Sequence, residues 1–283
     1  MLLPHLALAA LLALAVPALA QTPATPPAAT VTISQLGEVM QLDDLFDVLR
    51  EEGIKYGTDL EAEMFPGGGC PGWAAAVADI YDVSLLRAKF NHQLRAGLAS
   101  DPETMAKVVD FFASELGRRI LTLEIEARRA FLDPVAEDAA RVAADKRRMG
   151  RDPRAKQLDR LIEAADLLEM NVAGALSGNL AFLTGMNETG INGIILPQDE
   201  VMQQVWGQEA QIRDDTESWL ESYLGLAYAP LTEAELDAYI AFWESPAGQR
   251  LNAVLFTAFD EVFSGVSRDL GRAAGQAMLG RDI

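Results

Sequence analysis

Few residues in this chain are equipped for chemistry. The sole thiol is Cys70 and the sole imidazoles are His5 and His92, too few for a histidine- or cysteine-rich metal site. Cys70 lies in Met64-Phe-Pro-Gly-Gly-Gly-Cys-Pro-Gly-Trp73, an irregular Gly/Pro loop followed by a helix that begins at about Gly72. A nucleophilic cysteine needs its pKa depressed by a base, a cation or a helix N-terminus. The sequence leaves three readings of Cys70 open: an adventitious thiol, an intermolecular disulfide, or the nucleophile of an unrecognised hydrolase. His92, in Phe90-Asn-His-Gln-Leu94, reads as a surface or core-edge histidine. The carboxylate pairs Asp43-Asp44, Glu51-Glu52 and Asp214-Asp215 point about 100° apart on a helix, so they read as solvated rather than chelating. Gly67-Gly-Gly69 lacks the Gly-Lys-Ser/Thr of a phosphate loop, and no Gly-x-Ser-x-Gly elbow occurs. No catalytic, cofactor-binding or metal residue is assigned.

The elements that would position such residues are helices. Leu42, Leu45, Phe46 and Leu49 recur at i, i+3, i+4 and i+7, as do Leu158, Leu161, Ile162 and Ala165, and later Leu251, Leu255, Ala258 and Val262. Strand-type alternation is nowhere sustained, so the expected class is all-α. An internal duplication is expected within it. Phe111, Ser114, Gly117 and Arg119 align without gaps on Phe242, Ser245, Gly248 and Arg250, at an offset of 131. Helix-start signals precede both: Asp101-Pro102, and Thr232 with Glu235 in capping-box spacing. Trp73 with Trp206, and Leu42–Phe46 with Leu158–Ile162, extend the alignment. The shrinking offset places extra residues in the second copy, part of them in 187–197. The Phe-x-x-Ser-x-x-Gly-x-Arg pattern has two structural readings. One is a helix stripe with a notch for a neighbour. The other, suggested by Ser245-Pro246, is an N-cap that starts a new helix after a bend.

Residues 231–251, LTEAELDAYIAFWESPAGQRL, resemble the core of the bacterial domain of unknown function 2059. The resemblance is clearest over 228–263, with a degenerate copy at 99–132, where Glu115-Leu116 replaces Ser-Pro. It implies an all-helical exported protein and no known activity.

Two further segments stand out. Arg141, Lys146, Arg147, Arg148, Arg151 and Arg154 concentrate positive charge on a helix expected from about Val135 to Met149, broken at Gly150–Pro153. They form either a solvated face that neutralises the acidic repeats or a docking patch for an anionic partner or for lipid headgroups. Phe182, Met186, Ile194 and Ile195 belong to an apolar stretch that covers the core or contacts an apolar ligand.

The expected organisation is a signal peptide at 1–20, a flexible leader at 21–35, helical repeat 1 at 36–132, a basic connecting helix at 133–157 and helical repeat 2 at 158–283. The signal reading rests on an apolar run from Leu6 to Val16 closing on Ala18-Leu19-Ala20, and implies a periplasmic protein with no membrane span after cleavage. Half the residues are hydrophobic, which supports a packed core. The net charge of −19 argues against nucleic acid. The expected role is non-catalytic, binding or scaffolding at the cell envelope. Its partner would be an envelope protein or, alternatively, a lipid-like or other apolar small molecule carried between the repeats.

Overall fold

Helix starts follow the caps written in the sequence. In the computed structural model, which describes residues 31–66, 69–190 and 195–280, all regular structure is helical. The segments read as signal peptide and most of the leader lie outside the described residues, as do Gly67, Gly68 and Ile194. Thr32 caps α1 (Ile33–Val39) through a capping box, and left-handed Gln41 turns the chain into α2 (Leu42–Met64). Gly72 begins α3 (Trp73–Ile80) and Asp82 caps α4 (Val83–Leu98). Asp101, with Pro102 at the first helical position, starts α5 (Pro102–Phe112), and Ser114 starts α6 (Glu115–Ala130).

The basic segment forms α7 (Pro134–Gly150), ended by left-handed Arg151 one residue before the Asp152 cap of α8 (Pro153–Ala164). α9 (Leu167–Glu188) carries the apolar stretch, and the turn after it is clasped by Asn187, whose side chain donates to Leu196 O and accepts from Leu196 N. α10 (Gln198–Trp206), α11 (Glu209–Ala227) and α12 (Glu233–Trp243) lead to α13 (Pro246–Met278).

α13, at 33 residues, is the axis of the fold, packing on α9, α4, α5, α3 and α12. Its crossing with α9 is backbone to backbone: a side chain at Gly185 would strike Arg268 O, and one at Gly271 would strike Phe182 O. One apolar core runs from Leu36 to Ala274 and draws on both expected repeats. Phe46, Phe90 and Phe259 tie α2, α4 and α13 together, with Phe90 and Phe259 ring centres 4.6 Å apart. A smaller cluster of Val172, Leu176, Val205 and Ile212 joins α9, α10 and α11. Among the described residues no helix is long and apolar enough to cross a membrane.

Candidate functional site

The site is framed by the two Phe-x-x-Ser-x-x-Gly-x-Arg stretches, which fold locally alike. In each, the serine hydroxyl accepts the amide proton of the glycine three residues on, at 3.0 Å from Gly117 and 3.1 Å from Gly248. Each serine thereby caps a helix after a bend, the second of the two readings; the uninterrupted stripe is not what forms. Gly117 and Gly248 sit where a Cβ would collide with the carbonyls of Phe111 and Phe242. The two phenylalanines stack on each other at 4.2 Å. The arginines cross over: Arg119 reaches Pro230 O and Glu235 at the start of α12, and Arg250 reaches Gly97 O in the last turn of α4. Arg119 thus braces a helix start and Arg250 a helix end. The flanking matches do not share an environment, since Trp73 is buried and donates to Gly57 O whereas Trp206 is 62% exposed.

Beyond the bend, α6 and α13 run on to face a common cavity of about 90 Å³. The α6 wall presents Leu121, Glu124, Ile125 and Arg128; the α13 wall presents Leu255, Phe256 and Phe259. α1, α2 and α11 close it with Met40, Leu42, Leu45, Tyr223 and Leu224, and Tyr228 completes that side. The walls are apolar except for one polar cluster. Tyr228 and Tyr239 both donate to Glu124 Oε1, each at 2.7 Å, and Tyr223 donates to the Glu124 carbonyl at 2.9 Å. Arg128 Nη1 donates to both carboxylate oxygens of Glu52 at 3.0 Å, and its guanidinium lies over the Tyr223 ring.

Burial sets the protonation balance here, because each charged form has given up its water. Burial pushes the Glu124 carboxyl above its ordinary range, against the two tyrosine hydrogen bonds and Arg128. Glu52 is likewise raised by burial and drawn back by Arg128. For Arg128, burial is the largest influence and opposes the charge, but the attractions of Glu52, Tyr223 and Glu124 together outweigh it and hold the guanidinium above its usual value. Burial also raises Tyr223, Tyr228 and Tyr239, so they remain donors at neutral pH. The arrangement can hold a small apolar group against a fixed carboxylate.

The other sequence-predicted residues are not gathered at this cavity. Arg147 donates to Glu221 O, and Arg148 pairs with Glu217 and Glu221, all on α11. Arg141 is held by Glu137 and Asp138 on its own helix, and Arg154 donates to Leu231 O. Among the described residues Lys146 and Arg151 make no ion pair. Phe182 and Met186 pack on the main core, Ile194 is outside the described residues, and Ile195 is 69% exposed. Phe182 also lines a second cavity of about 160 Å³, where the buried Ser267 hydroxyl has no hydrogen-bond partner among the described residues.

The Cys70 amide donates to Glu61 at 2.7 Å, and its thiol faces Pro71 O; no hydrogen bond joins it to exposed His92 among the described residues. Nor do the described residues contain a group of three or more His, Cys, Asp or Glu placed to hold a metal.

Sequence reasoning missed Glu52, Glu124, Arg128 and the three tyrosines. The Glu51-Glu52 pair, read as solvated, is divided: Glu51 faces outward and Glu52 turns in to Arg128. A signal was present on α6, where Leu121, Glu124, Ile125 and Arg128 stand at i, i+3, i+4 and i+7, two charges on an apolar stripe.

Comparison with known proteins finds one family model, described as an uncharacterized protein conserved in bacteria (domain of unknown function 2059), which matches residues 100–146. The match covers the copy that reads as degenerate in sequence, including its Ser114 cap, and takes in Glu124 and Arg128. No curated protein and no solved structure matches the chain.

Proposed function

We propose that this chain is exported to the periplasm and acts there without catalysis, as a carrier that holds a small, mainly apolar molecule between α6 and α13. One observation carries the reading: a mainly apolar cavity with one polar cluster, in which Glu124 is already positioned by two tyrosine hydroxyls. Concave apolar sites with a few fixed polar groups are the usual form of small-molecule sites. Export is supported by the Leu/Ala run and the Ala-Leu-Ala end of residues 1–20. The scaffold reading, docking through 141–154, draws less support, because Arg141, Arg147, Arg148 and Arg154 already have partners within the chain.

Native mass spectrometry of residues 21–283 purified from a periplasmic expression tests the proposal. Excess mass lost on denaturation, and absent from an Ile125→Trp variant that fills the cavity, supports a carrier. An unliganded mass together with capture of an envelope partner that Arg147→Glu/Arg148→Glu abolishes favours the scaffold instead.

A further inference from the structure

We infer that the cavity between α6 and α13 is selective for a small cation with an apolar body, an alkyl- or arylalkylammonium ion, whose nitrogen donates to Glu124 Oε2. The inference rests on the carrier reading and narrows it to one chemical class.

The first argument is the distribution of hydrogen bonds around Glu124. Both tyrosine hydroxyls donate to Oε1, and among the described residues no hydrogen bond reaches Oε2. Glu124 nevertheless lines the cavity and is partly accessible, so Oε2 is the acceptor left for an occupant. An ammonium donor makes a stronger, charge-assisted hydrogen bond to a carboxylate oxygen than a neutral donor does.

The second argument is the charge count. The buried cluster holds two carboxylates, Glu52 and Glu124, against one guanidinium. Arg128 already spans both oxygens of Glu52 and lies over Tyr223, so an anionic occupant would meet Glu124 at close range with its natural counter-ion committed elsewhere. An ammonium ion beside Glu124 would supply the counter-charge that favours its ionised form, which burial alone disfavours. Phe112, Phe256 and Phe259 on the cavity wall suit an apolar body. The net charge of −19 also raises the local concentration of cations around the molecule.

The third argument is size. A cavity of about 90 Å³ is smaller than the roughly 150 Å³ engineered cavity that accepts benzene, so the apolar body is short.

The test is calorimetric titration of purified residues 21–283 with n-butylamine, 1-butanol, sodium butyrate and ammonium chloride at pH 7.5 and constant ionic strength. Butylammonium is expected to bind at least about tenfold more tightly than butanol, with butyrate and ammonium weaker still. Glu124→Gln should remove the preference for the amine while leaving butanol binding in place. The comparison among ligands needs no variant, so it stands even if Glu124→Gln fails to fold. Equal binding of butylammonium and butanol overturns the inference and leaves the carrier reading intact. Equal binding of butylammonium and ammonium reduces the effect to surface charge and also overturns it. Failure of all four to bind overturns the inference and the carrier reading together.

Discussion

α6 and α13 begin alike and then part. Both start from a serine cap, pass a glycine pressed against the preceding carbonyl, and send an arginine to a helix end beside the other stretch. At the same offset of 131, Glu124 corresponds to Leu255, Ile125 to Phe256 and Arg128 to Phe259, and all six line one cavity. At these equivalent positions α6 furnishes Glu124 and Arg128, whereas α13 furnishes only apolar groups. α6 ends at Ala130, whereas α13 continues to Met278 and becomes the axis on which α9, α4 and α3 pack. A shared local frame has thus been put to two uses. The capping geometry is confined to one turn, so it survives large changes in what the rest of the helix touches.

The largest expected effect lies on α6. Arg128→Met would leave Glu52 buried without its partner and should cost about 3–5 kcal/mol in urea unfolding. Adding Glu52→Gln should recover most of that loss. The corresponding change on α13, Phe259→Leu, should cost about 1 kcal/mol, since packing there can adjust. Equal losses at the two positions would remove the distinction between the two helices.

The shared frame is probed next. Gly117→Ala and Gly248→Ala each drive a Cβ into backbone that cannot move cheaply, and each should cost about 2–3 kcal/mol by thermal or urea unfolding. A silent result at either glycine would separate the two stretches. Ser114→Ala and Ser245→Ala should each lose about 1 kcal/mol, the ordinary worth of an N-cap. A much smaller loss at Ser114 than at Ser245 would show that α6 depends on other contacts for its start.

The smallest effect is a slope with pH. Glu124 is raised above its ordinary value near 4.5 by burial, so the folded state favours the protonated form. Its stabilising contribution is complete below that ordinary value and is lost as pH rises through the raised one. Wild-type stability should therefore decline relative to Glu124→Gln between the ordinary and the raised value, as followed by denaturation at a series of pH values. A difference that stays flat, or that grows with pH, would contradict the buried setting of Glu124.

Much of the local structure was legible without coordinates. The break at Gly150–Pro153, the helix starting at Gly72 and the capping box at Thr232 all appear where residue types require them. The equivalence of Ser114 and Ser245 was legible too, although only the structure shows that Ser114 caps without a following proline. The site was hardly legible. Tyr223, Tyr228 and Tyr239 reach Glu124 across 99 to 115 residues of chain, and no pattern within a helix turn records that meeting. Glu52 reads like its neighbour Glu51 until the fold supplies Arg128, 76 residues away.

The sequence by itself determined the all-helical class, most helix starts and stops, the doubled Phe-x-x-Ser-x-x-Gly-x-Arg stretch and the concentration of basic charge after α6. These depend on propensity, capping and periodicity, which act over a few residues. Only the tertiary structure decided that the two stretches stack on each other, that Arg147 and Arg148 are taken up by α11 and Arg160 by α12, and that a mainly apolar cavity with a carboxylate lies between α6 and α13. The reason is physical. A helix exposes several faces of comparable character, and which one is buried depends on partners about a hundred residues away, so a charge on an apolar stripe has no assigned surroundings until those partners arrive.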